Sequence, residues 1–397
     1  MEIKQRGKPL FKTARLLTSL MFLLVVILTM SVTSHALTPW YASVGAHIVL
    51  LNPDGTVWCI GSNNHGQLGI GKTDSDIHEP VMVPDLRKVM AVAAGATHSV
   101  ALLRDGTVWT WGGNEAGQLG IGNRMGSKIG SPQPVQVDGL RDVIAIASGR
   151  NHVVALKKDG TVWSWGSNFS GQLGLDSGGT ADQPVQTAHL DGVIAITAGA
   201  FHTAALKKDG TVWSWGFNGN GQLGNGTCEN YNIPVKVAGL GSVVAIAAGN
   251  QHTVALQNDG TAWAWGSNHA SQLGGDSSSL MSLTPVQVSG LSGIIDITAK
   301  VNHTFALMKD GTVVAWGDTG SRQWGNGVSM GGSPIPVRLH GVSSPVSIAA
   351  IGNPDTLVKG RNSASIANAL QSAGNHNDQA VNRDNIAFAD ASRFFRY

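Results

Sequence analysis

The chain has 397 residues, 42% of them hydrophobic and 13% charged, with 52 glycines, 12 tryptophans and a formal net charge of +2. Ordinary globular chains carry about a quarter charged residues and about half as much glycine. Scarce charge and abundant apolar residues exclude a disordered polyelectrolyte, and the glycine and tryptophan content suits short strands and tight turns around a large core.

The first 36 residues are expected to stand apart from the fold. Lys4, Arg6, Lys8, Lys12 and Arg15 precede an apolar run from Leu16 to Val32, and Thr33-Ser34-His35-Ala36 follows. A basic head, an apolar middle and small residues at a cleavage point make a secretory signal peptide. Export to a secreted, periplasmic or cell-surface location is therefore expected. The alternative is an uncleaved membrane anchor, the run lying at the short limit for a span. Removing the leader's five basic residues and one acidic residue from the totals leaves 22 Lys+Arg against 24 Asp+Glu, a net charge of about −2. No basic run then remains to neutralise a row of phosphates, so nucleic acid is not expected as a partner. After leader cleavage, neither is a membrane.

Residues 37–360 are built from one recurring phrase. Asp-Gly-Thr appears at Asp54, Asp105, Asp159, Asp209, Asp259 and Asp310, at steps of 51, 54, 50, 50 and 51 residues. A period near 51 marks supersecondary units that bury their apolar faces against neighbours. Each unit reads as four short strands. An apolar run such as Val143–Ala147 leads into a Gly-x-x-His corner, as at Gly95–His98, Gly149–His152, Gly199–His202 and Gly249–His252. A second strand (His252–Leu256 in the fifth unit) ends at the Asp-Gly pair, whose glycine supplies the positive φ of a tight hairpin. The third strand alternates Trp with small residues (Trp109-Thr-Trp111, Trp163-Ser-Trp165, Trp213-Ser-Trp215, Trp263-Ala-Trp265), and side chains two apart share a face. A Gly-Gln-Leu-Gly loop follows, then an edge strand opening with Pro-Val at Pro80, Pro134, Pro184, Pro234, Pro285 and Pro336, where proline is tolerated. Sheets bulky on one face and small on the other nest against copies of themselves, and four-stranded units repeated this way make an all-β, β-propeller fold.

The phrase AAGxxHTxAL, DGTVWxWGxNxxGQLG and PVxVxGL resembles the repeat of the regulator-of-chromosome-condensation family over roughly residues 40–358. The resemblance implies a propeller, typically seven-bladed. Six units are complete, and a seventh begins at Val346–Gly352 with Asp355 in place of histidine. Dividing the length beyond the leader by the period gives about seven, so a seven-bladed ring with an incomplete last blade is expected, with six blades as the alternative. Residues 361–397 lack Trp, Asp-Gly-Thr and Pro-Val. They are expected to be a divergent tail, partly disordered or holding a short helix over Ala364–Leu370.

Most residues that look chemical recur with the repeat and so read as structural. His47, His98, His152, His202, His252 and His303 occupy one corner per blade. A metal needs ligands converging to about 2.0–2.1 Å, which equivalent positions on separate blades do not provide. They are expected instead to form a structural ring, each bonding backbone at its own corner and tying blade to blade. The aspartates read as turn formers, without a calcium-loop pattern, and the Trp pairs as core. Cys59 and Cys228 lie in distant units and read as unpaired thiols. No catalytic signature stands out, so a non-enzyme without cofactor or metal is expected.

What differs between units is free of the repeat. The corner residues Ala96, Thr97, Arg150, Asn151, Phe201, Asn250, Gln251, Lys300 and Asn302 are the candidate partner-binding residues; Lys300 replaces the corner glycine of the sixth unit. Loops on a rigid scaffold commonly carry recognition, and the longer second-unit loop, Asn123–Gln133, is a further candidate contact. The expected function is an exported, monomeric, non-catalytic scaffold binding a protein of unknown identity, or a surface ligand, through one ring face. Two alternatives come from the resemblance: guanine-nucleotide exchange on a small GTPase, as the family's founding nuclear member performs, and secreted enzyme inhibition. Related β-lactamase inhibitors, however, have shorter repeats without the Gly-Gln-Leu-Gly loop.

Overall fold

Turn chemistry lays the chain out as successive antiparallel meanders. In the computed structural model the described residues are 41–42, 47–74, 76–122, 130–275, 279–318, 333–339, 345–350 and 356–360. The chain divides after Thr38, and the unit from Pro39 onward carries the sheets. The leader expected at 1–36 and the tail at 361–397 lie outside the described residues. Among the described residues no helix is long and apolar enough to cross a membrane.

The first blade is β1 (Tyr41–Ala42), β2 (His47–Leu51), β3 (Val57–Gly61) and β4 (Ile77–Met82). The second is β5 (Val89–Ala94), β6 (His98–Leu103), β7 (Val108–Gly112) and β8 (Ser131–Gln136). The third is β9 (Val143–Ser148), β10 (His152–Lys157), β11 (Val162–Ser167) and β12 (Thr180–Gln186). The fourth is β13 (Val193–Ala198), β14 (His202–Lys207), β15 (Val212–Gly216) and β16 (Tyr231–Lys236). The fifth is β17 (Val243–Ala248), β18 (His252–Gln257), β19 (Ala262–Ser267) and β20 (Met281–Gln287). The sixth is β21 (Ile294–Lys300), β22 (His303–Met308), β23 (Val313–Gly317) and β24 (Ser333–Arg338), and β25 (Pro345–Ala350) and β26 (Thr356–Gly360) come last.

Strands pair in chain order within each blade. The expected seven-bladed ring is corrected: the described residues form six four-stranded blades, and among them β25 and β26 pair only with each other. The seventh unit has no counterpart of the Trp-bearing or Pro-Val strand, so the sequence chemistry that makes outer strands is missing there. Innermost strands of successive blades touch one another, and β25 touches both β21 and β1.

The third strand shows why the sheets stack. Trp111, Trp165, Trp215, Trp265 and Trp316 are completely buried, as are Thr110, Ser164, Ser214 and Ala264 on the opposite face. Each of these indoles donates its Nε1–H to a carbonyl of the preceding blade: Trp111 to Gln67, Trp165 to Gln118, Trp215 to Gln172, Trp265 to Gln222 and Trp316 to Gln272, at 2.9–3.0 Å. The accepting glutamine is the one in the Gly-Gln-Leu-Gly loop. The loop's second glycine lies under the same ring: a Cβ on Gly120 would stand 2.7 Å from Trp165 Nε1, and one on Gly224 2.6 Å from Trp265 Nε1. The loop sequence is thus a socket for the next blade's tryptophan. The small side of the strand is anchored too, Thr110, Ser164 and Ser214 hydroxyls donating to Leu119, Leu173 and Leu223 carbonyls.

Candidate functional site

The first strand of each blade runs toward the Gly-x-x-His corner and the third toward the Gly-Gln-Leu-Gly loop, so both sets of turns share one face. Backbone bonds join them: Gly113 N–H donates to Thr97, Ser167 to Asn151, Phe217 to Phe201, Ser267 to Gln251 and Asp318 to Asn302, at 2.8–3.0 Å. A second series runs around the rim, from Ala96 N–H to Arg150 C=O, Arg150 to Ala200, Ala200 to Asn250 and Asn250 to Val301, at 2.8–3.1 Å. Four successive corners are therefore each tied to the next through main chain, which leaves their side chains free to vary on a rigid rim.

The histidines lie inside this rim, buried to 2% exposure or less. The expectation that each bonds backbone at its own corner is corrected. His47, His152, His202 and His252 Nε2 instead meet the hydroxyls of Ser99, Thr203, Thr253 and Thr304 in the next blade, at 2.9–3.1 Å. Val153 has no hydroxyl to offer His98, and Ser148, from the innermost strand of the same neighbouring blade, takes its place at 2.9 Å. The corner glycine makes room for the imidazole: a Cβ on Gly149 would stand 2.1 Å from His152 Cε1. Burial lowers these imidazoles from the ordinary 6.5 to about 4 in His47, His202 and His303 and about 3 in His98, His152 and His252. His47, His98, His152, His202 and His252 are neutral ties between blades. Among the described residues no group of three or more His, Cys, Asp or Glu side chains is placed to hold a metal ion.

The Asp-Gly-Thr turns lie on the opposite face. There the Asp105, Asp159, Asp209 and Asp259 carboxylates each accept from the hydroxyl and N–H of the threonine two residues on. Those bonds hold the carboxyls below the usual carboxylate value. Cys59 is buried and Cys228 exposed, both free, and burial pushes the Cys59 thiol up.

All nine candidate partner-binding residues stand on the rim. Arg150 is exposed; Ala96, Thr97, Asn151, Phe201, Asn250, Gln251, Lys300 and Asn302 are half-buried. Two of them meet across a blade boundary, the Arg150 guanidinium lying 5.9 Å from the Phe201 ring centroid. Phe217 extends the group, edge-on to Phe201 at 6.5 Å and 76°, and Phe169 in the neighbouring loop is 79% exposed. Sequence reading missed both phenylalanines. The available signal was departure from the repeat, since Phe217 stands where other blades have Gly113, Ser167 and Ser267.

The sixth corner is built differently. Lys300 brings a Cβ where the corners of blades two to five have glycine, β21 pairs on to Lys300↔His303, and Val301 takes a φ of +48°. Burial lowers the Lys300 amine from 10.5 to about 8, and among the described residues His303 Nε2 has no partner. Of the second-unit insertion, residues 123–129 lie outside the described residues.

The RCC1-like domain family model matches residues 30–358. Among characterised relatives, the human probable E3 ubiquitin-protein ligase HERC6 is 40% identical over 132 residues, covering 32% of this chain and 13% of that protein. The Danio rerio protein RCC2 homolog is 35% identical over 136 residues, covering 34% of this chain and 27% of that one. The match thus spans under a third of either relative's length. Among solved structures, Prp20p from Saccharomyces cerevisiae superposes with a TM-score of 0.72 at 22% identity, covering 84% of each chain. Human WBSCR16 gives 0.69 at 24% identity, covering 79% of this chain and 84% of that one. These likenesses show the fold.

Proposed function

The chain belongs to the RCC1-like domain family, and from that premise we propose that it is a non-catalytic propeller that binds a protein partner through the face bearing the Gly-x-x-His corners. The observation that carries this reading is the Arg150–Phe201–Phe217 group. Repetition explains the buried histidines and tryptophans but not these three, and aromatic residues with arginine dominate binding energy at protein interfaces. Stacking orders the guanidinium in advance and lowers the cost of ordering it on association. The solved yeast relative is described by its binding to Gsp1p and histones, and Prp20 has also been solved with Kap60 bound, which supports a protein as the class of partner.

The test is co-purification with the wild-type protein, followed by affinity measurement on Arg150→Ala, Phe201→Ala and Phe217→Ala, with Lys158→Ala on the opposite face as control. At least two of the three rim variants are expected to lose about tenfold or more, about 1.4 kcal/mol each, with the control unchanged. A partner indifferent to all three sinks the reading. Faster release of GDP from a small GTPase would replace it with nucleotide exchange. The leader-like residues 1–36 support a site of action outside the cytoplasm. Fractionation with N-terminal sequencing after Ala36 tests that, and a cytosolic chain starting at Met1 would refute it.

A further inference from the structure

The opposite face carries an apolar feature that neither the core nor the partner rim uses. In blades two to six the innermost strand has a β-bulge near its start: Val89 and Ala91 pair with successive residues of the second strand, and Met90 is skipped. Ile144, Ile194, Val244 and Ile295 are skipped in the same way. A bulge residue is released from the pleat. The residue before each is buried, whereas the five bulge side chains are 40–56% exposed. Single exposed aliphatics are ordinary, but these five stand at equivalent positions on innermost strands that touch in succession, as a collar around one end of the strands. It lies beside the Asp-Gly-Thr turns, since Lys158 N–H donates to Asp142 C=O and Lys208 N–H to Gly192 C=O, each two residues before a collar position.

We propose that this collar is the docking site of the chain's own segment 361–374, seated through Ile366 and Leu370. The argument begins where the last strand ends. In β25–β26, Gly360 pairs with Pro345 and the register then skips to Ser347. That is the pairing that Val243 and Gln257 make in the fifth blade, directly before the bulge at Val244. The chain therefore leaves the last sheet on the collar's face, one residue from a collar position. Six residues on, at a reach of about 20 Å, come Ile366 and Leu370 with Ala369 and Ala373, spaced to share one face of a helix. No Asp, Glu, Lys or Arg occurs from Asn362 to Asn377, so beyond Arg361 at its start the segment brings no formal charge to the collar. A distant partner would first have to displace a tethered apolar stretch held at high effective concentration.

The test uses the full-length chain. Limited trypsin digestion, followed by intact-mass analysis, reads cleavage after Arg361. The segment is expected to be released by Ile144→Asp with Ile194→Asp, and equally by Ile366→Asp with Leu370→Asp. Cleavage then rises about tenfold or more while Phe169→Asp on the other face changes nothing. A second measurement holds if the aspartates disturb folding: Ile194→Cys with Leu370→Cys, made together with Cys228→Ser to remove the exposed free thiol and oxidised with diamide, is expected to give an intramolecular disulfide independent of protein concentration. Rapid cleavage of the wild type, slow cleavage indifferent to the collar, or a concentration-dependent link between two copies would each overturn the docking.

Discussion

At each ordinary corner a neutral imidazole fills the space left by a glycine and bonds a hydroxyl one blade away. Unfolded, these groups titrate near 6.5; folded, burial holds them at about 3 to 4. Between those values the unfolded chain binds more protons, so stability falls as pH falls through the window, by up to about 1.4 kcal/mol per pH unit for each histidine. The urea midpoint, followed by tryptophan fluorescence, is expected to be level from pH 8 to 7 and to drop steeply from 6.5 towards 4. His202→Gln should make that slope shallower by one proton. A midpoint constant through the window would contradict neutral burial. The tryptophans divide by the same kind of reasoning. Trp215 donates to Gln172 C=O in a wholly buried socket, whereas the half-buried Trp213 donates to Thr211 within its own blade. Trp215→Phe removes one of the two donors to the Gln172 carbonyl, the other being the Thr203 hydroxyl, and leaves a gap in a wholly buried socket; it should cost about 1–3 kcal/mol, more than Trp213→Phe, in thermal unfolding.

Between elements, the two irregular joints show what the regular ones need. Where Val153 withholds a hydroxyl, Ser148 supplies one from the innermost strand. Ser148→Ala is therefore expected to lower stability by about 1–2 kcal/mol, and adding Val153→Thr should restore most of it by rebuilding the tie used in the other blades. Failure of the double variant to recover would show that the serine acts through something other than His98. At the sixth corner, a β-branched residue at φ +48° costs about 1 kcal/mol or more. Val301→Asn, which accepts that conformation, should raise the melting temperature, since the backbone carbonyl used by Asn250 is retained. The Ser148 joint was not legible in the sequence, and at the sixth corner only the exchange of glycine for Lys300 was, not the strain at Val301. The histidine–hydroxyl contacts join residues about fifty apart, and nothing local to Val153 announces that Ser148 will stand in for it.

For the whole molecule, legibility followed the chemistry of the strands. Six Asp-Gly-Thr turns, each with its Trp-bearing and Pro-Val strands, were readable as six blades. The expectation of a seventh came from the family resemblance, from the apolar start of a further unit at Val346 and from dividing length by period, which counts residues 361–397 although they carry none of that chemistry. Arg150 and Phe201 stood out as departures from a repeat, while Phe217 and Phe169 were absorbed into a loop read as structural. The resulting ring is uneven. Five joints, from blade one to blade six, hold an indole-to-carbonyl bond, but among the described residues the ring meets itself through a two-stranded sheet touching β21 and β1. Two strands bury too little to be stable on their own, and a ring of nearest-neighbour contacts opens at its weakest joint. Native-state hydrogen exchange should therefore find β26 amides exchanging through a partial opening at least about 2 kcal/mol below the global unfolding that governs β14 and β18. Releasing segment 361–374 from the collar should widen that gap, because the segment is tethered to β26 and its docking restrains the same joint. Equal protection of β26 and β14 would mean that the two-stranded sheet closes the ring as firmly as a full blade.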